Sequence, residues 1–344
     1  MVLWLSFSSS ALLPPLANIQ HYIQLFKGLV VYQLAASKLL SMMKTTAELP
    51  LRILTHNIRY ATKSPFKGEL RWDDRKQSLL NELRFNTRHQ DAFICLQEVL
   101  HNQLVDVLSG LNQQSPPSSN PTPTGQQWTY IGVGRDDGHE AGEYSAILYK
   151  PSVWQLKHWD SVWLSETPDK PSKGWDAASI RILTIGVFTH HETRHTVLAM
   201  NTHLDDQGSR SRYEAAKIIL QKMDEYRGGE FSDSIAGVFL TGDFNSQETQ
   251  EAYGVLTGAE SSLADTAKVL EPALHYGDHF TWTGFGYEGQ DPTRIDYILL
   301  GPGKQKEEEQ SWRVDGYAVL ANRFDSGVFL SDHRAVVVDV TLYD

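Results

Sequence analysis

A single cysteine, Cys95, in 344 residues excludes any disulfide within the chain. It sits in the apolar run ICLQE, where a small buried hydrophobe is the expected role and a reactive thiol is not. Positive charge is in short supply. Lys and Arg total 31 against 42 Asp and Glu, a net charge of −11, so bulk charge does not draw the chain to nucleic acid; a polyanionic substrate would need a local basic patch or a bound cation. The apolar, Ser-rich stretch from Met1 to Ala17 lacks a basic start, and Pro14 with Pro15 breaks it before the roughly 18 residues a membrane span needs. Missing too are Cys/His ligand spacings, the G-x-x-x-x-G-K-[ST] loop, the G-x-G-x-x-G turn, the G-x-S-x-G elbow and any repeat of fixed period.

What is present has the composition of a soluble globular protein, 41% apolar and 21% charged. Residues 1–50 stand apart as a leader or appended helix. Met1–Ala17 could be a degenerate signal, and Ile23, Phe26, Val30 and Leu34 fall at helical spacing within Ile19–Met43. That stretch could pack as a terminal helix or anchor weakly to a membrane, so membrane contact is expected only through residues 1–43. Secretion and a cytoplasmic location both remain open. A single domain is expected over 51–344.

Within that domain strands alternate with helices. LRILTHNI, DAFICLQE, WTYIGVG, YSAILYK, WQLKHWDSVWL, IRILTIGVF, HTVLAMNTHL, IAGVFLTGDFN, FTWTGF, RIDYILL and RAVVVDVTL read as strands. RKQSLLNELRFN, LHNQLVDVLSGL and SRYEAAKIILQKMDEY read as helices. A Pro/Ser/Asn-rich surface insertion occupies 112–127, and GPGKQKEEEQ is a charged loop. The excess of strands in apparent hairpins predicts an α/β architecture, two packed and mainly antiparallel sheets with helices outside.

Four runs of apolar and β-branched residues close on polar groups: Asn57, Glu98, Asp243 with Asn245, and Asp332 with His333. Strand ends brought together at one rim would form a cup of oxygen ligands, which suits Mg²⁺, with Mn²⁺ able to substitute, and a phosphate. Glu98 is a hard donor, though a glutamate after a buried strand can equally be a solvated end or helix cap. Asp243 and Asn245 could orient a water and donate to a phosphate oxygen, or form a plain Asx turn. The SDH string with Asp296 offers an imidazole oriented by a carboxylate. His203 closes NTHL and could stabilise a pentacoordinate phosphorus or sit in the core on a backbone hydrogen bond.

The ordered series HNIRY, LQEV, NTHLDD, TGDFN, RIDYI and SDH, spanning Leu51 to Leu342, resembles the endonuclease/exonuclease/phosphatase superfamily, which includes deoxyribonuclease I, deadenylases, neutral sphingomyelinases and inositol-polyphosphate phosphatases. The resemblance implies a four-layered α/β sandwich with a Mg²⁺-dependent phosphoester hydrolase site. It implies metal-side roles for Asn57 and Glu98 and a phosphate contact for His203. Asp243 and Asn245 would position water and phosphate, Asp296 would orient His333, and Asp332 would lie beside the metal or the imidazole. GVGRDDG, GEYSAILY and WLSETPDKPSKGWDAASIRI are similar to a small bacterial and fungal, deadenylase-like subgroup. Arg135, Tyr144, Trp175, Asp176 and Arg181 are the substrate-wall candidates, since Arg forks onto phosphate and aromatic rings stack on bases or sugars. A nuclease or phosphodiesterase acting on nucleic acid by in-line water attack is the first expectation. A lipid phosphodiesterase or inositol-phosphate phosphatase is the second, and a catalytically silent binding protein the third.

Overall fold

The computed structural model describes residues 48–113, 128–286, 289, 291–303 and 311–343. Residues 1–47 of the expected leader or appended helix at 1–50, most of the insertion at 112–127 and residues 304–310 of the charged loop lie outside the described residues.

Alternation of apolar side chains along the strands builds the layers. Strands β1 (Leu49–Asn57), β2 (Ala92–Val99), β3 (Thr129–Ile131), β4 (Tyr144–Tyr149), β10 (His275–Gly277), β12 (Trp312–Val319) and β13 (Val336–Leu342) form one sheet in the order β10-β12-β13-β1-β2-β4-β3. The other holds β5 (Trp154–Trp163), β6 (Ile182–His190), β7 (Thr196–His203), β8 (Ile235–Asp243), β9 (Ala264–Asp265) and β11 (Asp296–Pro302), in the order β5-β6-β7-β8-β11-β9. Ile53, Phe93, Cys95, Val197, Ala199 and Phe239 turn inward to fill the layer between the sheets. Their neighbours face outward: Leu54, Ile94 and Leu96 meet Leu79, Leu83, Leu104 and Val107 of helices α1 (Trp72–Thr87) and α2 (His101–Asn112). Leu198, Met200 and Leu240 meet Ala215, Ile219, Met223 and Leu256 of α3 (Ser209–Gly228) and α4 (Glu251–Thr257). A short helix α5 (Thr266–Val269) follows β9. Strand periodicity of two thus yields three apolar seams and the expected four-layered sandwich. Phe93 anchors the central seam, its ring 4.7, 5.0 and 5.2 Å from those of Trp154, Phe188 and Phe239. Cys95 lies in the same seam, where burial pushes its thiol up to about 12 and leaves it inert.

Most strand pairings are antiparallel, but β1–β2, β7–β8 and β10–β12 are parallel. Parallel neighbours need a crossover. Helix α1 lies between β1 and β2 in sequence and α3 between β7 and β8, so β1 and β2, like β7 and β8, finish at a common edge. Antiparallel β11 starts where β8 ends, and His203, Asp243 and Asp296 fall in register across β7, β8 and β11.

Two expectations need correction. FTWTGF is not a strand; Trp282 makes only isolated bridges to Thr293 and His333. Asp332 and His333 do not close a strand either but precede β13, in a loop tied down where the Ser331 hydroxyl donates to Asn57 O at 2.6 Å.

Candidate active site

Asn57, Glu98, Asp243 and His203 arrive on strand ends, while Asp296 opens a strand and His333 and Asp332 come from a loop. The Asn57 amide joins two of them, donating to Glu98 Oε1 at 3.1 Å and Asp243 Oδ2 at 2.9 Å. Its oxygen accepts from the Arg59 backbone N–H at 3.0 Å, so Asn57 orients the two carboxylates beside the place expected for the metal. Glu98 leaves the ladder between β2 and β4 through a register break between Leu96 and Val99, with φ at 56°. A bulge of this kind re-aims a side chain out of the sheet, and Glu98 Oε2 accepts from Tyr60 N at 3.2 Å. Gly242 has φ at 150°, and a Cβ there would stand 2.1 Å from Thr202 O, so only glycine brings β8 this close to β7. Asn245, φ 45°, folds back so that its own N–H reaches Asp243 Oδ1 at 2.9 Å.

Two imidazoles flank Asp243 in opposite states. His333 Nδ1 lies 2.9 Å from Asp296 Oδ2, and its Nε2 lies 3.6 Å from Asp243 Oδ2. Burial alone would lower its pKa, but the Asp296 and Asp243 carboxylates outweigh it and hold the imidazole well above its usual value, as a cation. His203 is the reverse. Burial, then the Arg181 and Arg135 guanidinium groups, drive it well below the ordinary value. It is neutral, with Nε2 facing the Asn245 amide nitrogen at 3.0 Å and Asp243 Oδ2 at 3.4 Å. Asp243 is pushed up, by burial first and Asp296 second, which makes it a stronger base than a solvent-exposed carboxylate.

A polar cleft of about 680 Å³ opens over this cluster. Glu98, Asp332, Glu143, Asp206 and Asp243 face it, with Arg59, Arg135, Arg181 and Arg212. Burial and then repulsion from Glu98 raise Glu143 to about 7, and burial with Glu98 outweighs His333 in raising Asp332. Arg59 and His333 together overcome the burial of Glu98 and hold it below its usual range. Hard oxygen donors crowded around Glu98, whose charge raises Glu143 and Asp332, fit a divalent cation, and Glu98 with Asp332 offers the donor chemistry of Mg²⁺. Asp243, Asp296 and His333 form a second group whose ligand atoms lie within 4.8 Å of one another, with His333 Nδ1 engaged by Asp296.

Of the wall candidates, Arg135 and Arg181 line the cleft. Tyr144, Trp175 and Asp176 do not. Tyr144 turns into the outer seam beneath α2, its hydroxyl donating to His139 O at 2.8 Å. Asp176 caps α3 from a distance, accepting from Ser211 N at 2.7 Å, with Gly208 leaving room for the approach. Trp175, half-exposed, donates its backbone N–H to Glu166 Oε2 at 3.3 Å. Residues not anticipated are Arg59, Glu143, Trp282 and the buried pair Gln97 and Asn201, whose amides join at 2.7 Å beneath the site. Glu143 had a signal: it precedes Tyr144 in a strand-like run, so the two face opposite sides. Arg212, which opens a helix, also lines the cleft and is held by Glu251 at 2.6 Å.

The fold and this constellation are those of one class of protein. The sequence profile of the Endonuclease/Exonuclease/phosphatase family matches residues 54–333, and the chain belongs to that family. Nocturnin of Drosophila melanogaster is 24% identical over 302 residues, 79% of this chain and 42% of that protein. The chain spans 42% to 65% of the length of the curated relatives it matches. An endonuclease/exonuclease/phosphatase family protein of Bacteroides thetaiotaomicron superposes with a TM-score of 0.72 at 30% identity, covering 87% of this chain and 97% of that one. A mannosyl-6-phosphatase of the same organism gives 0.69 at 31%, covering 84% and 99%.

Proposed function

We propose that the protein is a Mg²⁺-dependent phosphoester hydrolase acting by in-line attack of water. The observation that carries this reading is the convergence of three sequence-distant segments on the carboxylate of a fourth. Asn57 Nδ2, His203 Nε2 and His333 Nε2 lie 2.9, 3.4 and 3.6 Å from Asp243 Oδ2. Asp243, its basicity raised by burial, orients the attacking water and takes its proton. His333, kept cationic by Asp296, donates to a nonbridging phosphoryl oxygen as charge builds there, and the Asn245 amide holds a second oxygen without adding negative charge. Glu98 and Asp332 would hold the cation, which when bound neutralises phosphoryl charge and assists the leaving oxygen.

The phosphoester class is favoured over a silent binding protein because base, cationic imidazole and hard oxygen donors stand together. Among the residues lining the cleft only Tyr60, Trp282 and Ile295 offer sizeable apolar surface, which gives little to a lipid chain. Nucleic acid has Tyr60 and Trp282 in its favour as stacking groups. A phosphomonoester has the relative named as a mannosyl-6-phosphatase. The test is hydrolysis of p-nitrophenyl phosphate and bis(p-nitrophenyl) phosphate. Excess EDTA should abolish turnover and Mg²⁺ restore it, and Glu98→Ala or His333→Ala should lower kcat by about 10²-fold or more in a folded protein. Full activity in excess EDTA would overturn the proposal.

A further inference from the structure

The arginines of the cleft are all spoken for. Arg135 forks onto Glu143 at 2.8 and 2.9 Å. Arg181 pairs with Asp206 at 2.9 Å and Asp205 at 3.4 Å, and Arg212 with Glu251 at 2.6 Å. Arg59 lies between Glu69 at 3.1 Å and Glu98 at 3.6 Å. Among the described residues no lysine lines the cleft. All four guanidinium side chains are at most 15% exposed, so separating one from its carboxylate would strand a buried charge.

A nucleic acid presents further phosphates on both sides of the scissile one, and each needs a cation to replace its counterion. Here one phosphoryl group can be served, by the cation site and His333, and a second would meet arginines already paired with protein carboxylates. What the wall does offer is hydrogen bonding: Ser179, Asp206, Gln247, Gln250 and Thr293. Neutral hydroxyl groups match such donors and acceptors without bringing charge.

Resting on the hydrolase reading above, we infer that the substrate is a small phosphomonoester whose remaining body is uncharged and polyhydroxylated, a sugar or polyol phosphate. In the same inference Glu143 is the specificity residue that keeps Arg135 from reading a second phosphate. Its carboxylate is the partner of the Arg135 fork and sits 3.7 Å from His203 Nδ1, on the wall nearest the reacting group. Removing its charge frees a guanidinium that points at the place a neighbouring phosphate would occupy.

The experiment uses the full chain with Mg²⁺. It compares kcat/KM for glucose 6-phosphate, adenosine 3′,5′-bisphosphate and a 5′-phosphorylated single-stranded oligonucleotide, with p-nitrophenyl phosphate as the reporter of phosphoryl chemistry alone. Dissociation constants for the first two, measured by calorimetry with Ca²⁺ in place of Mg²⁺, provide a readout that needs no turnover. Glucose 6-phosphate should exceed both nucleotides by about tenfold or more, and Glu143→Gln should shift the ratio of bisphosphate to sugar phosphate toward the bisphosphate by about tenfold. Asp206→Asn, at a half-exposed carboxylate, should shift it the same way by freeing Arg181. Equal or better use of the oligonucleotide by the wild type, or a ratio unmoved in both variants, would overturn the inference. Loss of all turnover, p-nitrophenyl phosphate included, would sink the hydrolase reading, and the calorimetric preference would then decide the ligand class by itself.

Discussion

Replacing Arg75 with lysine keeps a positive charge in the core but removes a fork on which two loops depend. Arg75 is fully buried on α1. One of its nitrogens donates to Ile58 O at 2.6 Å and Leu330 O at 2.7 Å, and the other to Arg59 O at 2.6 Å. Those carbonyls adjoin Asn57 on one side and Ser331, Asp332 and His333 on the other, so a single guanidinium sets the spacing between the two halves of the site. Burial lowers its pKa only to about 10, and it stays charged at neutral pH. A lysine side chain is shorter and has no planar fork, so although its ammonium carries three N–H donors it is expected to keep only one of the three carbonyls within reach. Two charge-assisted hydrogen bonds lost at about 1.5–3 kcal/mol each give a loss of about 3–6 kcal/mol, a large share of a stability of about 5–15 kcal/mol. Loops displaced by about 1 Å should also lower kcat by about 10²-fold, because a misplaced acid or base forfeits its alignment. Urea unfolding followed by fluorescence of the nine tryptophans gives the first number, and kcat at a temperature where both proteins are folded gives the second. A lysine variant within about 1 kcal/mol of wild type and with kcat unchanged would refute the reasoning.

Asp296→Asn should leave burial in command of His333, lowering the imidazole pKa in an NMR titration and kcat by about 10²-fold; an unmoved titration would count against the pairing. Asp205 is held at about 2 against an ordinary 3.8, because backbone N–H groups of Ala178, Gly208 and Ser179, with Arg181, outweigh burial. A depressed carboxylate contributes stability that is fully present above its unfolded pKa and is lost as pH falls through the folded one. Stability curves of wild type and Asp205→Asn should therefore differ at neutral pH and converge near pH 2; parallel curves would contradict this. Gly242→Ala should cost several kcal/mol in chemical denaturation, about 3 or more, since its Cβ meets a carbonyl of the neighbouring strand. A loss below about 1 kcal/mol would show that β7 yields easily.

Much of this was legible in the sequence because strand periodicity and strand ends are local properties. The alternation in ILTHN, ICLQE and VFLTGDFN sets the seams and brings Asn57, Glu98 and Asp243 to one rim. His333 was reached through a strand-end reading of FLSDH that does not hold, since it precedes β13, and Asp296 was found by its letters alone, since it opens an antiparallel strand. The substrate wall was the least legible part. Tyr144 and Glu143 differ by one position, and the parity of β4 sends the tyrosine to the outer seam and the carboxylate to the cleft. Asp176 caps a helix that begins 33 residues later, a relation no local pattern announces. Arg59 and Arg75 derive their roles from carbonyls and carboxylates that are distant in sequence.

Glu98 is a non-glycine residue with φ at 56°, held there by the bulge that aims it. That conformation costs about 1–3 kcal/mol, a cost glycine would escape. Glu98→Gly would relax the main chain and delete the carboxylate in one step. Selection of variants for thermal endurance alone should therefore drift toward a sturdier and chemically mute protein at this position, so any such screen of this chain has to be scored on turnover at every round.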